Sequence, residues 1–378
     1  MLQILVIDDD LVMQMILKNT LQSQGYKVIV AKNGIEGISL AKKQLPALVI
    51  CDWMMPEVDG LDVCRQLKLD QNLSSTFFIL LTSKGAVEDK VQALDNGADD
   101  FLSKPIDKTE LIASVRAGLR IYQLNQDLQL QKQLLEAEIA EASEYIQSLL
   151  PAALKGEVNI LAEFIPSSQL GGDCYDFYWL DDDHLAIYLI DTSGHGVGSA
   201  LLSISILNLL RSQSFGKEKF YEPSKIMTEL NQAFQMSQHN GRYFTMWYGV
   251  FKRSQRKLTF ANAGHPKGLL IARDLENPQI QELPSLDIPV GFFPDVEYSS
   301  SEISVPLNSR LYIFSDGIFE VSQENGKIWG VINFFDLLKE KFAVDEEVTA
   351  NLVLQKIRTG NPTAKFDDDV SLLKIDFL

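Results

Sequence analysis

The stretch Leu2–Asp10, LQILVIDDD, decides the fold of the first part of this 378-residue chain. A short apolar run that ends abruptly in acids is typical of a buried strand with polar side chains at its carboxyl end. Similar runs recur downstream, separated by amphipathic segments that predict helices. The five runs are Leu2–Ile7, Tyr26–Val30, Ala47–Cys51, Phe77–Leu81 and Asp99–Leu102. This alternation predicts an α/β domain with a five-stranded, parallel, doubly wound sheet.

The carboxyl ends of these strands carry a set of polar side chains. Asp8 and Asp9 follow the first strand, Asp52 ends the third, Thr82 ends the fourth and Lys104 follows the fifth. The ligand crevice of a doubly wound sheet lies at these ends, so we expect the five residues to converge. Crowded carboxylates repel one another unless a cation lies among them, and Mg²⁺ prefers oxygen ligands. The arrangement predicts that Asp52 attacks a phosphoryl donor while Lys104 pairs with the phosphate oxygens.

A long helix is predicted from about Gly118 to Leu150, because no glycine or proline follows Gly118 until Pro151, which ends the helix. Apolar residues recur seven apart along it, whereas their companion positions are only half apolar. The first set is Ile121, Leu128, Leu135, Ala142 and Leu149, and the second is Leu124, Gln131, Glu138 and Tyr145. The pattern leaves open a coiled coil, which would make the protein a homodimer, and a helix packed on its own domains.

The remainder of the chain mixes strands and helices in an order that predicts stacked antiparallel sheets covered by helices. The predicted strands are Val158–Ile165, Leu185–Ile190, Phe244–Phe251, Lys257–Ala261, Arg310–Phe314 and Val370–Phe377. Helices are predicted near Val197–Arg211, Pro223–Ser237 and Val348–Thr359.

Acids again stand at strand ends in this second part. They lie in the segments Gly171–Asp176, Asp191–Gly196, Phe314–Gly317 and Asp367–Ser371. A pair of metal ions bridged by one carboxylate would neutralise such acids and lower the pKa of a bridging water for attack on a phosphoester. The chain has neither a nucleophilic cysteine signature nor a histidine-rich zinc spacing. The segments therefore predict a metal-dependent phosphoester hydrolase.

The first 122 residues resemble the response-regulator receiver family, which has a flavodoxin-like fold. The resemblance is carried by Ile4–Asp10, Asp52–Pro56, Leu80–Ser83 and Phe101–Pro105. It implies a sensor histidine kinase as partner and Asp52 as the phosphoryl acceptor. By the same resemblance, Asp8, Asp9, Asp52 and the carbonyl of Met54 hold Mg²⁺. Thr82 and Lys104 sense the phosphoryl group, and Phe101 changes rotamer.

Residues 151–378 resemble the type 2C, metal-dependent serine/threonine phosphatases, in the bacterial branch of partner-switching stress and sporulation pathways. Ile146–Pro151, Ala261–Pro266 and Ser315–Gly317 carry the likeness. It implies an α-β-β-α sandwich, two Mn²⁺ or Mg²⁺ ions, and a phosphorylated anti-sigma-factor antagonist of the STAS type as substrate. The expected domains are a receiver over residues 1–122, a helical linker over residues 123–150 and a phosphatase over residues 151–378.

The phosphatase resemblance also implies a ligand set. Asp191 bridges both metals, Thr192 offers its carbonyl, Asp173 binds one metal directly or through water, and Asp316 and Asp368 hold the other. The family pairs two acids before an apolar residue and a hydroxyl, which favours Asp368 with Asp369 second and leaves Asp367 open. Cys174 replaces a usual aromatic and Ser371 a usual threonine, and the phosphate-gripping arginine of the eukaryotic relatives has no evident counterpart.

Two histidines and one acidic run are further candidates for a role in the site. His195 is either a general acid toward the leaving oxygen or a histidine that orders its loop. His265 is interpreted as a structural residue. The acidic run at residues 181–183 is interpreted as a solvated turn between strands, because nothing near it completes a calcium-binding loop.

Composition limits the classes of function. A net charge of −17 disfavours binding to nucleic acid, and no apolar run is long enough to span a membrane. Three cysteines without paired spacing, and a start without a signal-peptide pattern, predict a reducing cytoplasm. The first hypothesis is a response regulator with phosphatase output. The alternative is a catalytically weak adaptor that binds a sigma factor or its regulator, and a DNA-binding regulator is disfavoured because no basic recognition helix is visible.

Overall fold

A computed structural model describes residues 2–82, 91, 94–167, 170–194, 196–272, 279–285, 287–323, 326–344 and 347–378. The chain divides into two compact units, residues 1–136 and 137–378. Each unit is described separately below. Among the described residues, no helix combines the length and the apolar character needed to cross a lipid bilayer.

The first unit is built on a five-stranded sheet in which all neighbours pair in parallel, in the order β2-β1-β3-β4-β5. Its strands are β1 (Gln3–Ile7), β2 (Lys27–Ala31), β3 (Leu48–Asp52), β4 (Phe77–Thr82) and β5 (Asp100–Ser103). Helices α1 (Leu11–Ser23), α2 (Gly34–Gln44) and α3 (Gly60–Leu69) connect them. The predicted flavodoxin-like, doubly wound fold is confirmed.

The central strands β3 and β4 are buried along their whole length. Two apolar clusters cover the opposite faces of the sheet, one around Val49 and Phe78 and the other around Ile50 and Ile79. Burial on both faces explains why these strands are continuous apolar runs and not alternating ones. Their carboxyl ends lie at one edge of the sheet, where the polar residues follow.

One helix, α4 (Lys108–Leu149), runs for 42 residues without interruption. It begins ten residues before the predicted start, because the last helix of the first unit continues directly into the predicted linker. It ends at Leu149, two residues before Pro151, as the missing N–H of proline requires. Leu124, Leu128 and Leu135 are 57 to 68% exposed, so the predicted apolar stripe is accessible to solvent.

The second unit is a sandwich of two five-stranded antiparallel sheets, with strand orders β13-β10-β9-β8-β7 and β12-β11-β14-β15-β6. The strands of the first sheet are β7 (Cys174–Trp179), β8 (His184–Thr192), β9 (Phe244–Lys252), β10 (Lys257–Ala263) and β13 (Ser301–Ser304). Those of the second are β6 (Val158–Ile165), β11 (Gly268–Ala272), β12 (Gln279–Leu283), β14 (Ser309–Phe314) and β15 (Val370–Phe377).

Helices cover the outer faces of both sheets. Helices α5 (Val197–Arg211) and α6 (Pro223–Ala233) share an apolar cluster with β8 and β9, and α7 (Val331–Ala343) and α8 (Ala350–Arg358) share one with β14 and β15. A third cluster, which includes Trp247 and Leu311, fills the space between the sheets. The predicted α-β-β-α sandwich is therefore confirmed.

Several elements differ from the sequence-based expectation. Strand β13 carries two serines and a glutamate and is half exposed, so its sequence resembles that of a loop. Helix α6 ends at Ala233, earlier than predicted, because Phe234 leaves the helical conformation and packs into the core. Helix α7 and strands β11 and β12 were not predicted. The sandwich nevertheless brings several strand ends to one edge, where the acids lie.

Candidate functional site

The carboxyl ends of β1, β3 and β5 bring a small polar cluster together in the first unit. One carboxylate oxygen each from Asp8, Asp9 and Asp52 lies within 4.8 Å of the others. Lys104 Nζ lies 2.8 Å from Asp52 Oδ1 and 3.2 Å from Asp8 Oδ2. Asp8 and Asp52 are buried and Asp9 is exposed. Four of the five residues that sequence reasoning placed in the crevice are therefore neighbours in the structure.

The electrostatics of this cluster favour a bound cation. Burial raises the pKa of Asp8, and the charge of Asp52 adds to the effect, although hydrogen bonding and Lys104 oppose it. Burial alone would lower the pKa of Lys104, but its contacts with Asp52 and Asp8 outweigh burial and raise it. Among the described residues, Lys104 is the cation in contact with Asp8 and Asp52, and Asp9 brings a third carboxylate to the cluster. An oxygen-rich cluster of this kind suits Mg²⁺.

The other residues predicted for this site lie around its rim. Thr82 is buried at the end of β4, and Phe101 is half-buried in β5. Met54 lies in the loop after β3 with 59% of its side chain exposed. No contact tests the predicted carbonyl ligand at Met54 or the rotamer change at Phe101, so both stay predictions.

The acids of the second unit lie at neighbouring strand ends. Asp173 immediately precedes β7, Asp191 is the penultimate residue of β8, Asp316 follows β14, and Asp368 and Asp369 precede β15. Burial, followed by the charge of Asp173, Asp316 and other acids, raises the pKa of Asp191 well above its usual range. Burial likewise raises the pKa of Asp173, and it raises that of Asp316 to about 6. The predicted acids thus repel one another and are called the second acid cluster below. Among the described residues, only Asp8, Asp9 and Asp52 bring three carboxylate oxygens within 4.8 Å of one another, so the second acid cluster is wider than the first.

Asp368 and Asp369 have different environments. The carboxylate of Asp369 is buried and accepts hydrogen bonds from Ser167 N at 2.7 Å, Ser167 Oγ at 2.9 Å and Gly172 N at 2.5 Å. Asp368 is exposed, and its Oδ1 accepts a hydrogen bond from Asp369 N at 2.8 Å. Asp369 is therefore committed to holding the segment before β7 in place, and Asp368 is freer to bind a ligand.

Close backbone packing surrounds Asp173. A Cβ at Gly172 would lie 2.5 Å from Thr192 Oγ1 and 3.2 Å from the Thr192 carbonyl oxygen, so only glycine fits at this position. Thr192 Oγ1 donates to the Gly172 carbonyl at 3.0 Å. Asp173 Oδ2 is buried and has no hydrogen-bond partner of normal geometry among the described residues, although the hydroxyls of Ser315 and Ser371 are near enough to lower the pKa of Asp173. An orphaned carboxylate oxygen within an acid cluster fits a divalent metal ion.

The histidines and the acidic run have separate outcomes. His195 lies outside the described residues, so its role stays a prediction. His265 is buried, and its Nδ1 lies 2.9 Å from Thr245 Oγ1. Asp181 lies in an exposed turn where the backbone N–H of Asp183, together with His184, lowers its pKa. Backbone hydrogen bonds of this kind are those of a turn, which agrees with the interpretation of residues 181–183.

Sequence reasoning quoted Ser315 and Ser371 within its motifs but gave neither a role in supporting the acids. The hydroxyls of Ser315 and Ser371 lower the pKa of Asp173 and so oppose the effect of burial. Ser371 N donates to Ser315 Oγ at 2.8 Å. Ser315 is adjacent to Asp316 and Ser371 lies two residues after Asp369, and this proximity in sequence is the signal that could have identified them. Arg242, which was also missed, packs its guanidinium against Gly198 at the start of α5.

Comparison with known proteins gives two family matches. Residues 4–116 match the response regulator receiver domain, and residues 181–378 match the family described as stage II sporulation protein E (SpoIIE). The DNA-binding dual master transcriptional regulator RpaA of Synechocystis is 42% identical over 118 residues, which are 31% of this chain and 49% of RpaA. The phosphoserine phosphatase RsbP of Bacillus subtilis is 30% identical over 197 residues, which are 51% of this chain and 46% of RsbP.

Among solved structures, the SiaA-PP2C domain of Pseudomonas aeruginosa superposes with a TM-score of 0.54 at 23% identity, covering 66% of this chain and 99% of that domain. This likeness concerns the fold alone. The chain spans about half the length of the curated relatives that it matches. The SpoIIE match extends over more than half of the chain, and the receiver match precedes it. The chain therefore belongs to the stage II sporulation protein E family and carries a response-regulator receiver domain at its N-terminal side.

Proposed function

We propose that this protein is a response regulator that accepts a phosphoryl group on Asp52 and hydrolyses phosphoserine or phosphothreonine on a protein substrate. The observation that carries the proposal is the second acid cluster. Asp173, Asp191 and Asp316 have raised pKa values whose causes are burial and neighbouring acids. Such a cluster is unfavourable in the folded protein unless cations bind among the carboxylates.

The residues present suit two divalent ions, Mn²⁺ or Mg²⁺, in this cluster. When bound, such ions would supply positive charge and an activated water for hydrolysis of a phosphoester. Asp191 would be shared by both ions. Asp173, directly or through water, and the carbonyl of Thr192 would hold one ion, and Asp316 and Asp368 would hold the other. Asp369 holds the Gly172 backbone in place. In the receiver, Mg²⁺ would be held by Asp8, Asp9, Asp52 and the Met54 carbonyl.

The proposed partners follow from the relatives. A receiver implies a sensor histidine kinase as phosphoryl donor. RsbP is named a phosphoserine phosphatase, which supports a phosphorylated protein as the substrate. The resemblance to the partner-switching branch supports an anti-sigma-factor antagonist of the STAS type as that protein, in the cytoplasm. The first test is hydrolysis of p-nitrophenyl phosphate and of a phosphoserine peptide by the full chain with Mn²⁺. If neither is hydrolysed, the alternative of a catalytically weak adaptor that binds a sigma-factor regulator or a sigma factor is favoured.

A receiver-dependent change of phosphatase rate is the expected result of phosphorylating Asp52. Acetyl phosphate should change the rate several-fold in the wild type and leave Asp52→Asn unchanged, because asparagine cannot accept the phosphoryl group. The exposed Asp62→Asn is the matched control and should respond like the wild type. The same samples should be examined for dimerisation, since the exposed leucines of α4 could pair with those of a second copy. Equal rates and equal dimerisation with and without phosphorylation would contradict the proposal.

Arg211 connects α5 to the end of α4, where Leu149 also packs against the apolar cluster of α5. Arg211, the last residue of α5, donates through Nε to Asp176 Oδ2 at 2.6 Å and through Nη2 to the Leu149 carbonyl at 2.7 Å. Helix α5 begins directly after Gly196, close in sequence to Asp191 and Thr192. We propose that these two hydrogen bonds of Arg211 transmit a displacement of α4 to the second acid cluster.

Arg211→Lys is therefore expected to keep basal turnover within about threefold and to reduce the response to acetyl phosphate by at least half. Lysine preserves the charge beside buried Asp176, but it lacks the fork that reaches both acceptors. The measurement is the ratio of turnover with and without acetyl phosphate. Arg358→Lys, at the end of α8, is the control, because Arg358 also bonds a carbonyl, that of Ala364 at 2.9 Å. An unchanged ratio in Arg211→Lys would show that the contact is only structural.

A further inference from the structure

A cavity of about 420 Å³ opens beside the second acid cluster. Asp316 forms part of its wall, and so does Thr245. Thr245 pairs with Asp191 across β8 and β9, and residues that pair directly in an antiparallel sheet point to the same face. The cavity is therefore continuous with the acids at two points, and a molecule that reaches the acids can extend into it.

The walls of this cavity are largely apolar. They include Phe319, Val331, Ile332 and Phe335. Ile332 lies in the first turn of α7 and is 74% exposed, although most of that helix packs on the core. A large aliphatic side chain that is exposed on the wall of an apolar cavity is available for contact with another molecule.

A buried polar group lies at the inner end of the cavity. His265 is 2% exposed, its Nδ1 is paired with Thr245 Oγ1, and its Nε2 has no hydrogen-bond partner of normal geometry among the described residues. Burial lowers the pKa of His265 to about 3, against a smaller opposing effect of the Phe314 carbonyl, so the ring is neutral. The neutral ring therefore adds no positive charge to the wall of the cavity.

The charges around the cavity are unevenly compensated. Lys267 and Glu282 form a pair at 3.0 Å. Glu320 is exposed on the wall beside Asp316, and among the described residues no cation pairs with it. The wall is thus apolar with a net acidic rim. Such a surface is complementary to an apolar side chain that has a basic neighbour.

We infer that this cavity is the docking site for the substrate polypeptide and takes an apolar side chain near the phosphorylated residue, with a basic side chain beside Glu320. The inference rests on the proposed phosphatase function. The cavity supplies the contact with the substrate polypeptide that the acids alone do not provide. A small phosphoester such as p-nitrophenyl phosphate reaches the acids without filling the cavity. Recognition by the cavity should therefore affect polypeptide substrates only.

The test compares the wild type with Ile332→Asp, both as the full chain with Mn²⁺. The substrates are two phosphoserine peptides that share a lysine. They differ only at the flanking position next to that lysine, which is leucine in one peptide and aspartate in the other. Ile332→Asp should lower kcat/KM for the leucine peptide roughly tenfold or more, because an apolar contact is replaced by a charge. Turnover of p-nitrophenyl phosphate should stay within about twofold. The wild type should prefer the leucine peptide by a similar factor, and Ile332→Asp should lose that preference.

Val344→Asp is the matched control, because Val344 follows the same helix, is 61% exposed and does not line the cavity. Equal effects of the two variants, or no preference of the wild type for the leucine peptide, would overturn the docking site.

Fluorescence anisotropy of a labelled leucine peptide provides a readout that does not need turnover. If the wild type binds that peptide and Ile332→Asp does not, while neither hydrolyses p-nitrophenyl phosphate, the docking site stands and the phosphatase proposal fails. Loss of self-association in Ile332→Asp without loss of peptide binding would assign the cavity to a second copy.

Discussion

Asp191→Asn is expected to lower the turnover of p-nitrophenyl phosphate and of phosphoserine peptides on the order of a thousandfold, equivalent to about 4 kcal/mol in the barrier. Asp191 is the acid whose pKa is raised by four others, Asp173, Asp316, Asp368 and Asp369. It therefore lies where cations among these acids would be shared. Asparagine keeps the shape of the side chain but removes the charge, so the loss would reflect ion binding and not packing.

The matched control for this prediction is Asp182→Asn, in the exposed turn between β7 and β8. It removes one carboxylate from the same domain and should leave turnover within about twofold. Calorimetric titration with Mn²⁺ checks the cause, because Asp191→Asn should bind less metal and the control should bind as much as the wild type. Full turnover by Asp191→Asn would exclude the assigned ligand role.

Much of the site could be predicted because parallel and antiparallel sheets both place strand ends at an edge. Asp8 and Asp52 follow apolar runs whose alternation with helices fixes a doubly wound sheet, so their convergence follows from topology. The same reasoning collected Asp191 and Asp316 from strands that are far apart in sequence. These residues are identifiable because an acid directly after a buried strand is conspicuous.

The choice between Asp368 and Asp369 could not be made in this way. The two residues are adjacent and identical in type, and they differ only in what surrounds them. Asp369 is held by Ser167, 202 residues away in sequence, and by Gly172, 197 residues away. Contacts at that separation leave no periodic or local signal, so the family resemblance could rank Asp368 before Asp369, but the physical difference between the two carboxylates is visible only in the folded structure.

The cavity beside Asp316 was missed for a related reason. Its walls come from β9, the segment after β10, the turn after β14 and the start of α7, and α7 itself was not predicted. An exposed isoleucine such as Ile332 cannot be recognised in a sequence, because apolar residues in an amphipathic helix are usually assigned to the core. Substrate recognition is therefore less predictable than the chemistry of the acids.

Without metal, the protein is expected to become less stable as the pH rises from about 5 to 7.5. Burial raises the pKa of Asp173 and Asp191 well above their usual range and that of Asp316 to about 6, whereas unfolded aspartates titrate near pH 4. Above pH 4 the folded state then holds more protons than the unfolded state, so the free energy of unfolding falls until the folded pKa values are passed. For Asp316 alone the loss is on the order of 2 kcal/mol.

Mn²⁺ at about 100 times its dissociation constant should restore roughly 3 kcal/mol at pH 7.5, or about 5 to 10 °C in the melting temperature of a domain of this size. At pH 5 the restoration should be smaller, because protons compete with the metal for the same carboxylates. Thermal unfolding with EDTA and with Mn²⁺ at both pH values provides the measurement. Asp173→Asn removes one buried acid, so it should stabilise the metal-free protein at pH 7.5 and shrink the response to Mn²⁺. Since the receiver acids are intact in that variant, an unchanged response would assign the metal effect to Asp8 and Asp52 and remove the second acid cluster as a metal site.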